Sequence, residues 1–531
     1  MIGGLRLGAS HLALALILGA AGAVVAAQKP AKAADLGGDC CADLEDRVAE
    51  LEATTVRKGN KKVSVQIYGK VNWAELMWDD GAEQNAYTVN NYMESTRFGL
   101  KGSAKIAGDW SAGFRLEAEI RDAASQQLNQ FNDDNLFDQF NALKVRWSHI
   151  YMNSKTWGEV RLGLTATPKY DVTKDTLEYI STEPGEGGGL SDTIVADFRM
   201  NDSFLLREKG FNSAEGLAGA NGGRALTWSN IARCFSSGDQ FNCSTRRNGV
   251  SYWTPTWEGF SGSVGWFEDD DWGAALRYRG SFAPFGGGTG LSKDDPWLLA
   301  ASVGYEKFRD ERLDNAGGGL AGFERDLDEV AGSAALKHKP TGLFVMGIFS
   351  FSDSNDSNVV GGFNGQDAPN MRAWNVQGGI QRRMSLFSLD KLGETSFWGG
   401  YSDVRNGFAP GSSGVAGSGS SATVVLCPFD SRCGPQSNGT VGVGALGVSA
   451  NMVLPGGTFP SIPFATQVTG SDVNDWFLAL DQSLDAAALH LYAVYQHFDS
   501  PTLSLIDSDR NHVPLRLDGF DLGYIGGRIY F

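Results

Sequence analysis

The sequence predicts an all-β fold: a closed antiparallel up-and-down barrel of about sixteen strands that crosses a membrane. Three observations predict it. The chain opens with a secretory leader, many segments then alternate in hydropathy with period two, and tight joints between them interleave with long polar connections.

The leader comes first. Arg6 precedes a mostly apolar run from Leu12 to Ala27, followed by Gln28-Lys29-Pro30 and the small-residue site Ala31-Lys32-Ala33. That is the basic, apolar, A-x-A order of a signal peptide, with the cut placed after Ala33, so residues 1–33 are removed. A membrane anchor is the alternative reading, but the run is short for a span and no stop-transfer pattern follows. No later stretch could cross a bilayer as a helix, whereas 69 glycines and 11% aromatics suit a large β protein. Such a chain enters a membrane only as a closed barrel, because an open edge would leave backbone groups unpaired in lipid. The formal charge is −17 and becomes −20 once the leader takes Arg6, Lys29 and Lys32 with it. A surface so acidic does not suit nucleic acid.

Residues 34–60 form an N-terminal periplasmic segment with one helix. Leu44, Val48, Leu51 and Thr55 step by four, three and four, which is a coiled-coil seam, and Arg47 and Glu52 flank it. Two heptads do not hold alone, so other contacts must gather the copies. Val and Leu at the seam lean towards two chains, yet three are expected if the barrel dictates the number. A helix lying on its own barrel is the alternative.

The barrel is expected over residues 61–531. Val63, Val65, Ile67, Val71 and Trp73 alternate with Ser64, Gln66, Tyr68, Lys70 and Asn72. The pattern recurs from Trp110 to Glu119 and from Trp374 to Gln381. One such strand reads the same in a soluble sheet, so number and spacing decide. Segments 341–352 and 487–499 alternate poorly and are placed partly by their spacing. Ala107-Gly108-Asp109, Lys155-Thr156, Trp257 with its neighbours, Pro340-Thr341 and Asp485-Ala486 are tight joints, interleaved with connections as long as 167–245 and 406–472. Membrane barrels alternate short and long connections in this way. Near 269–296 the alternation reverses, which leaves the strand count open by two.

Gly523, Ile525, Gly527, Ile529 and Phe531 occupy alternate positions at the end of the chain. A terminal aromatic on such a strand resembles the assembly signal of outer-membrane barrels, and implies contact of Phe531 with the barrel-assembly machinery. With the segments Cys40 to Ala53, Val63 to Gly69, Arg97 to Gly102 and Trp110 to Gly113, the chain resembles the alphaproteobacterial trimeric porins. The resemblance is clear over roughly the first third and the last strand. It implies a sixteen-stranded barrel among outer-membrane lipids, a homotrimer, and passive passage of ions and small hydrophilic solutes.

A barrel this wide holds water, so selectivity rests on whatever narrows it. The connection after Thr165 is the candidate plug, carrying Asp171, Asp175, Glu178, Glu183, Glu186, Asp192, Asp197 and Asp202 against only Lys174 and Arg199. Pro184-Gly185-Glu186-Gly187-Gly188 loosely resembles the tip of the inward-folded third loop of general porins, without its Phe. An outward acidic loop is the alternative. If apolar residues face lipid, the lumen receives Arg97, Lys101, Arg115, Arg121, Lys144, Arg146 and Arg161. A basic wall facing an acidic loop sets a transverse field, unless those arginines merely pair with Glu117 and Glu119. The acidic excess of the whole chain suggests a mild preference for cations.

Cys234–Cys243 and Cys427–Cys433 are expected to close small loops, and Cys40 with Cys41 could bond between protomers. Other chemistry is thin. Gly442 to Gly447 matches a dinucleotide fingerprint without a βαβ context. Asp507, Asp509, Asn511 and Asp518 have partial calcium-loop spacing, with His512 in place of the turn glycine. No nucleophile motif, cofactor or metal site is expected, and the reading is a channel rather than an enzyme. A substrate-selective channel and a structural tether are the alternatives.

Overall fold

The computed structural model describes residues 62–125, 128–130, 143–181, 246–282, 295–311, 324–354, 370–383, 392–407, 467–506 and 512–531, with isolated positions at 204–232 and 453–458. The leader, the seam residues Leu44, Val48, Leu51 and Thr55, and Cys234, Cys243, Cys427 and Cys433 lie outside the described residues.

The strands are β1 Ser64–Asp79, β2 Gln84–Asn90, β3 Arg97–Ala107, β4 Trp110–Ile120, β5 Leu143–Ser154, β6 Gly158–Ala166 and β7 Arg246–Trp253. Next come β8 Phe260–Phe267, β9 Trp272–Phe282, β10 Trp297–Glu311, β11 Glu324–His338, β12 Leu343–Ser354, β13 Met371–Arg382 and β14 Thr395–Arg405. The minor pair β15 Val453–Leu454 and β16 Gly457–Thr458 precedes β17 Gln467–Leu484, β18 Leu489–Phe498, β19 Thr502–Ile506, β20 His512–Arg516 and β21 Phe520–Tyr530. One short helix, α1 Asp175–Ser181, lies within the connection after β6.

Each strand pairs antiparallel with its neighbours, and β1 pairs with β21, so the sheet closes. The upper half of β1 pairs with β2 and its lower half with β3, so β2 and β3 form one stave interrupted at Tyr92–Glu94. The hairpin β19–β20 extends the rim above β17. With β2 and β3 taken as one and the β19–β20 rim hairpin set apart, sixteen staves close the barrel. The reversed joints are real: a turn at Glu268–Asp270 links β8 to β9 at the long-loop end, while the longer link follows β9 at the other.

Alternation decides the faces. Ile67, Val71, Leu116, Ile150, Val264, Leu276, Val345 and Leu478 point outward and are exposed. Such a surface is stable only in hydrocarbon. Trp157, Trp257 and Phe531 mark one edge of the belt, and Trp266, Trp272, Trp374 and Trp476 the other, as the two girdles of a membrane barrel require.

The inner face is not uniformly polar. Trp78 packs on Phe204 and Phe520, and Trp228 packs on Phe498 and Phe520, so the long connection returns inside the barrel at 204 and 228. Phe344, Met346 and Ile348 also face inward and belong to the same apolar cluster as Leu177 and Ile180 of α1. This explains the poor alternation of β12 and β18: both faces of those strands are apolar, one towards lipid and one towards the packed interior.

Candidate functional site

The opposite arc of the inner wall is charged. Register sets Arg97 opposite Glu119 and Lys101 opposite Arg115, the opposite-charge and like-charge pairs that the shared inner face dictates. The β4–β5 register shifts between Glu117 and Ala118, so Arg146 is an extra residue on β5. A bulge of this kind re-aims side chains. It lets Arg146 and Trp147 serve the same carboxylates and lumen, and it resets the phase so that His149 and Tyr151 lie across from Arg115 and Gly113 on the inner face.

Two carboxylates organise this wall. Glu117 accepts from Arg115 Nη2 at 2.7 Å, Arg146 Nε at 2.9 Å and Tyr68 Oη at 2.8 Å, with Arg97 Nη1 at 3.9 Å. Glu119 accepts from Arg121 Nε at 2.8 Å and from Arg146 Nη1. Rings support the cations: Arg115 lies 4.1 Å from the Trp147 centroid, and Lys101 4.4 Å from that of Tyr68. Such stacking holds a guanidinium in place without neutralising it. Arg161 pairs with Glu159 and stacks on Trp253, on the same wall beyond Tyr151. Lys144 stands opposite Glu119 in the register.

The segment Thr167–Ser181 lies inside the barrel against the far wall. Thr167 Oγ1 donates to Glu306 at 3.0 Å, Lys169 Nζ to Glu329 at 2.8 Å, and Gln381 Nε2 to the Ser181 carbonyl at 2.8 Å. The helix turns Thr176, Leu177, Ile180 and Ser181 into that wall, and Thr176 meets Ser333 at 2.7 Å. Asp175 is drawn the same way, paired with Arg277 Nε at 2.5 Å and Arg279 Nη2 at 3.6 Å on β9. Its partners are therefore arginines of β9, not those of β4 and β5.

Asp171 and Glu178 face the other way. They line a cavity of about 280 Å³ with Tyr170 and Lys174 on the loop side, and with Lys70, Arg97, Arg115, Arg146 and Arg246 on the wall side. Asp171 adopts φ +64°, a left-handed conformation that Asp tolerates better than most residues, and its carbonyl accepts from Lys174 and Asp175 N–H as the helix begins. Burial pushes the Asp171 carboxyl up to about 6, with Lys174 opposing the shift and Asp175 adding to it. The cavity is thus bounded by opposite charges on its two sides, an arrangement that can orient a polar solute.

Of the expected acidic positions, Glu183, Glu186, Asp192, Asp197 and Asp202 lie outside the described residues. Several lining residues escaped the sequence reading. Lys70 and Tyr68 share the inward phase of Ser64 and could have been found by it. Arg246, which heads β7, donates to the Tyr170 hydroxyl and stacks 5.3 Å from Trp147. Glu94 sits on the turn that interrupts the second stave, where no periodic signal exists, and pairs with Lys70 at 2.8 Å and with Arg97.

A family model described as Gram-negative porin matches residues 13–503. Among solved structures, the chain is similar to an anion-selective porin from Comamonas acidovorans, at 15% identity and TM-score 0.45, over 88% of this chain and 100% of that one. It is similar to OmpT of Vibrio cholerae at 10% identity and TM-score 0.42, over 89% and 99%. It is similar to Salmonella typhi OmpF at 11% identity and TM-score 0.41, over 90% and 100%. No curated protein matches the sequence.

Proposed function

Since the chain belongs to the Gram-negative porin family and is an integral outer-membrane channel for passive diffusion, we propose that the cavity between Asp171 and Arg115 is its conducting constriction. Ions and small hydrophilic solutes pass between the acidic loop and the basic wall, and the molecule works as a channel rather than as an enzyme. The observation that carries this reading is the pinning of Thr167–Ser181 to β10 and β11, which sets Asp171 and Glu178 towards Arg115 and Arg146. A transverse field there lets polar solutes reorient, while apolar ones must shed water without compensation. We further take the functional unit to be a homotrimer joined through apolar outer faces, with folding completed by the barrel-assembly machinery at Phe531.

The test is conductance in planar bilayers. Wild-type protein gives discrete steps, and Arg115→Ala raises their size while Asp171→Asn with Glu178→Gln shifts the reversal potential towards anions. Unchanged values in both variants would place the constriction elsewhere. A trimer band on unheated gels that collapses on heating checks the assembly.

A further inference from the structure

We infer that the constriction prefers anions, and that it holds a binding position for small oxyanions bearing a carboxylate or phosphate group. This opposes what the net charge of −17 suggests, and it rests on the cavity being the conducting constriction.

The argument is local. Selectivity depends on the charges within a Debye length of the narrow point, about 8 Å at physiological salt, and not on the sum over the chain. Among the described residues, six cationic side chains line the cavity against four carboxylates. The wall carboxylates are already shared: Glu117 serves Arg97, Arg115 and Arg146, and Glu119 serves Arg121 and Arg146. Glu94 serves Lys70 and Arg97, so four guanidinium groups and one ammonium stand against three carboxylates.

Arg246 adds a charge that forms no direct ion pair among the described residues, with Asp171 the nearest acid across the cavity. Among the described residues no carboxylate lies within ion-pair distance of it. Its contacts are the Tyr170 hydroxyl and the rings of Trp147 and Tyr170, at 5.3 Å and 4.6 Å, and its Nε is buried with no acceptor. Lys101, near by over Tyr68, likewise forms no direct ion pair among the described residues. A planar guanidinium held by rings, with no ion pair among the described residues, suits an oxyanion that meets its exposed edge. Among the described residues, the lining of the cavity is therefore cationic although the whole chain is acidic.

The test uses the full mature protein in a neutral-lipid bilayer, with a tenfold potassium chloride gradient and then with inorganic phosphate added to symmetric chloride. The expected result is a chloride-to-potassium permeability ratio above one, with partial block of the current by phosphate. Arg246→Gln lowers the ratio by about twofold, the order one unit charge contributes across a water-filled gap, and relieves the phosphate block. Absence of any conductance steps would remove the channel reading itself. Steps with a potassium preference would leave the channel intact and overturn the anion preference, and a ratio unmoved by Arg246→Gln would overturn the assignment to this cavity.

Discussion

Lys169 Nζ lies 2.8 Å from Glu329 Oε2, and both side chains are wholly shielded from solvent. One residue belongs to the inward segment and the other to β11, so this ion pair ties the root of the loop to the wall opposite the β4 and β5 arginines. Breaking one side of such a pair costs about 3–5 kcal/mol, because the other charge stays buried without a counterpart. The barrel ladder does not depend on it, so the loop should yield first. Lys169→Met is expected to enlarge the single-channel conductance, and Lys169→Met with Glu329→Met to restore most of the wild-type value. Equal conductance in the single variant and the wild type would show that the helix contacts alone hold the loop.

Face assignment can be tested by stability. Leu276 points into lipid at mid-strand, so Leu276→Arg should cost about 2–4 kcal/mol. Ser103→Arg, on the inner face of β3 beside Ser64, should stay within about 0.5 kcal/mol. Urea titration of folding into vesicles measures both. Similar losses would mean that the faces are exchanged.

Asp171 makes the constriction sensitive to pH. Its carboxyl is raised to about 6, so the native loop binds a proton that the detached loop releases. Docking therefore strengthens as pH falls through about 6 and weakens above it, the reverse of a salt-bridged carboxylate. Among the described residues, the groups facing it include Lys174, Asp175 and Glu178 from its own segment, Arg246 from β7, Arg146 from β5 and Glu94 from the interrupting turn. Between about pH 7 and 5 the anion preference should rise as one negative charge disappears. Asp171→Asn, which keeps a residue tolerant of φ +64°, should flatten that dependence of the reversal potential. A slope that survives in Asp171→Asn would assign the titration to another group.

The seam between the chain's end and β1 offers a fourth test. Gly69 N–H donates to the Phe531 carbonyl at 2.9 Å, and Phe531 N–H returns to Gly69 at 3.1 Å. A Cβ on Gly69 would lie 2.5 Å from both the Phe531 ring and the Arg97 carbonyl. Gly69→Ala should therefore slow closure, seen as a larger unfolded fraction on unheated gels after refolding in vitro. Deletion of Phe531 should depress assembly in cells far more than refolding from urea. Equal defects in both settings would mean that the residue acts through the seam and not as a signal.

The staves were legible because lipid outside and water inside impose opposite demands on alternate residues, as from Ser64 to Trp73 and from Trp374 to Gln381. The same rule fails where the interior is packed. Ala74, Leu76 and Trp78 continue β1 with apolar side chains on the inner face, and nothing local marks the change. The bulge at Arg146 was invisible for a related reason, since Lys144 and Arg146 already fitted the phase and only Trp147 breaks it. At the site, Lys70 followed from alternation, whereas Glu94 depended on the turn that breaks the second stave. Asp175 was misdirected because seven residues of helix turn it towards Arg277, a choice that spacing alone does not reveal.

The aromatic packing of Phe204 and Trp228 against Trp78, Phe498 and Phe520 separates girth from throughput. One arc of the cylinder is dry, so its diameter serves as a foundation and not as a passage. A hairpin added between β14 and β21 would make a larger molecule that carries almost the same current. A single side chain exchanged between β3 and β7 would change the current with no change in size. Evolution can thus retune what crosses the membrane at the cost of one codon, and can lengthen the rest of the chain without altering the flow.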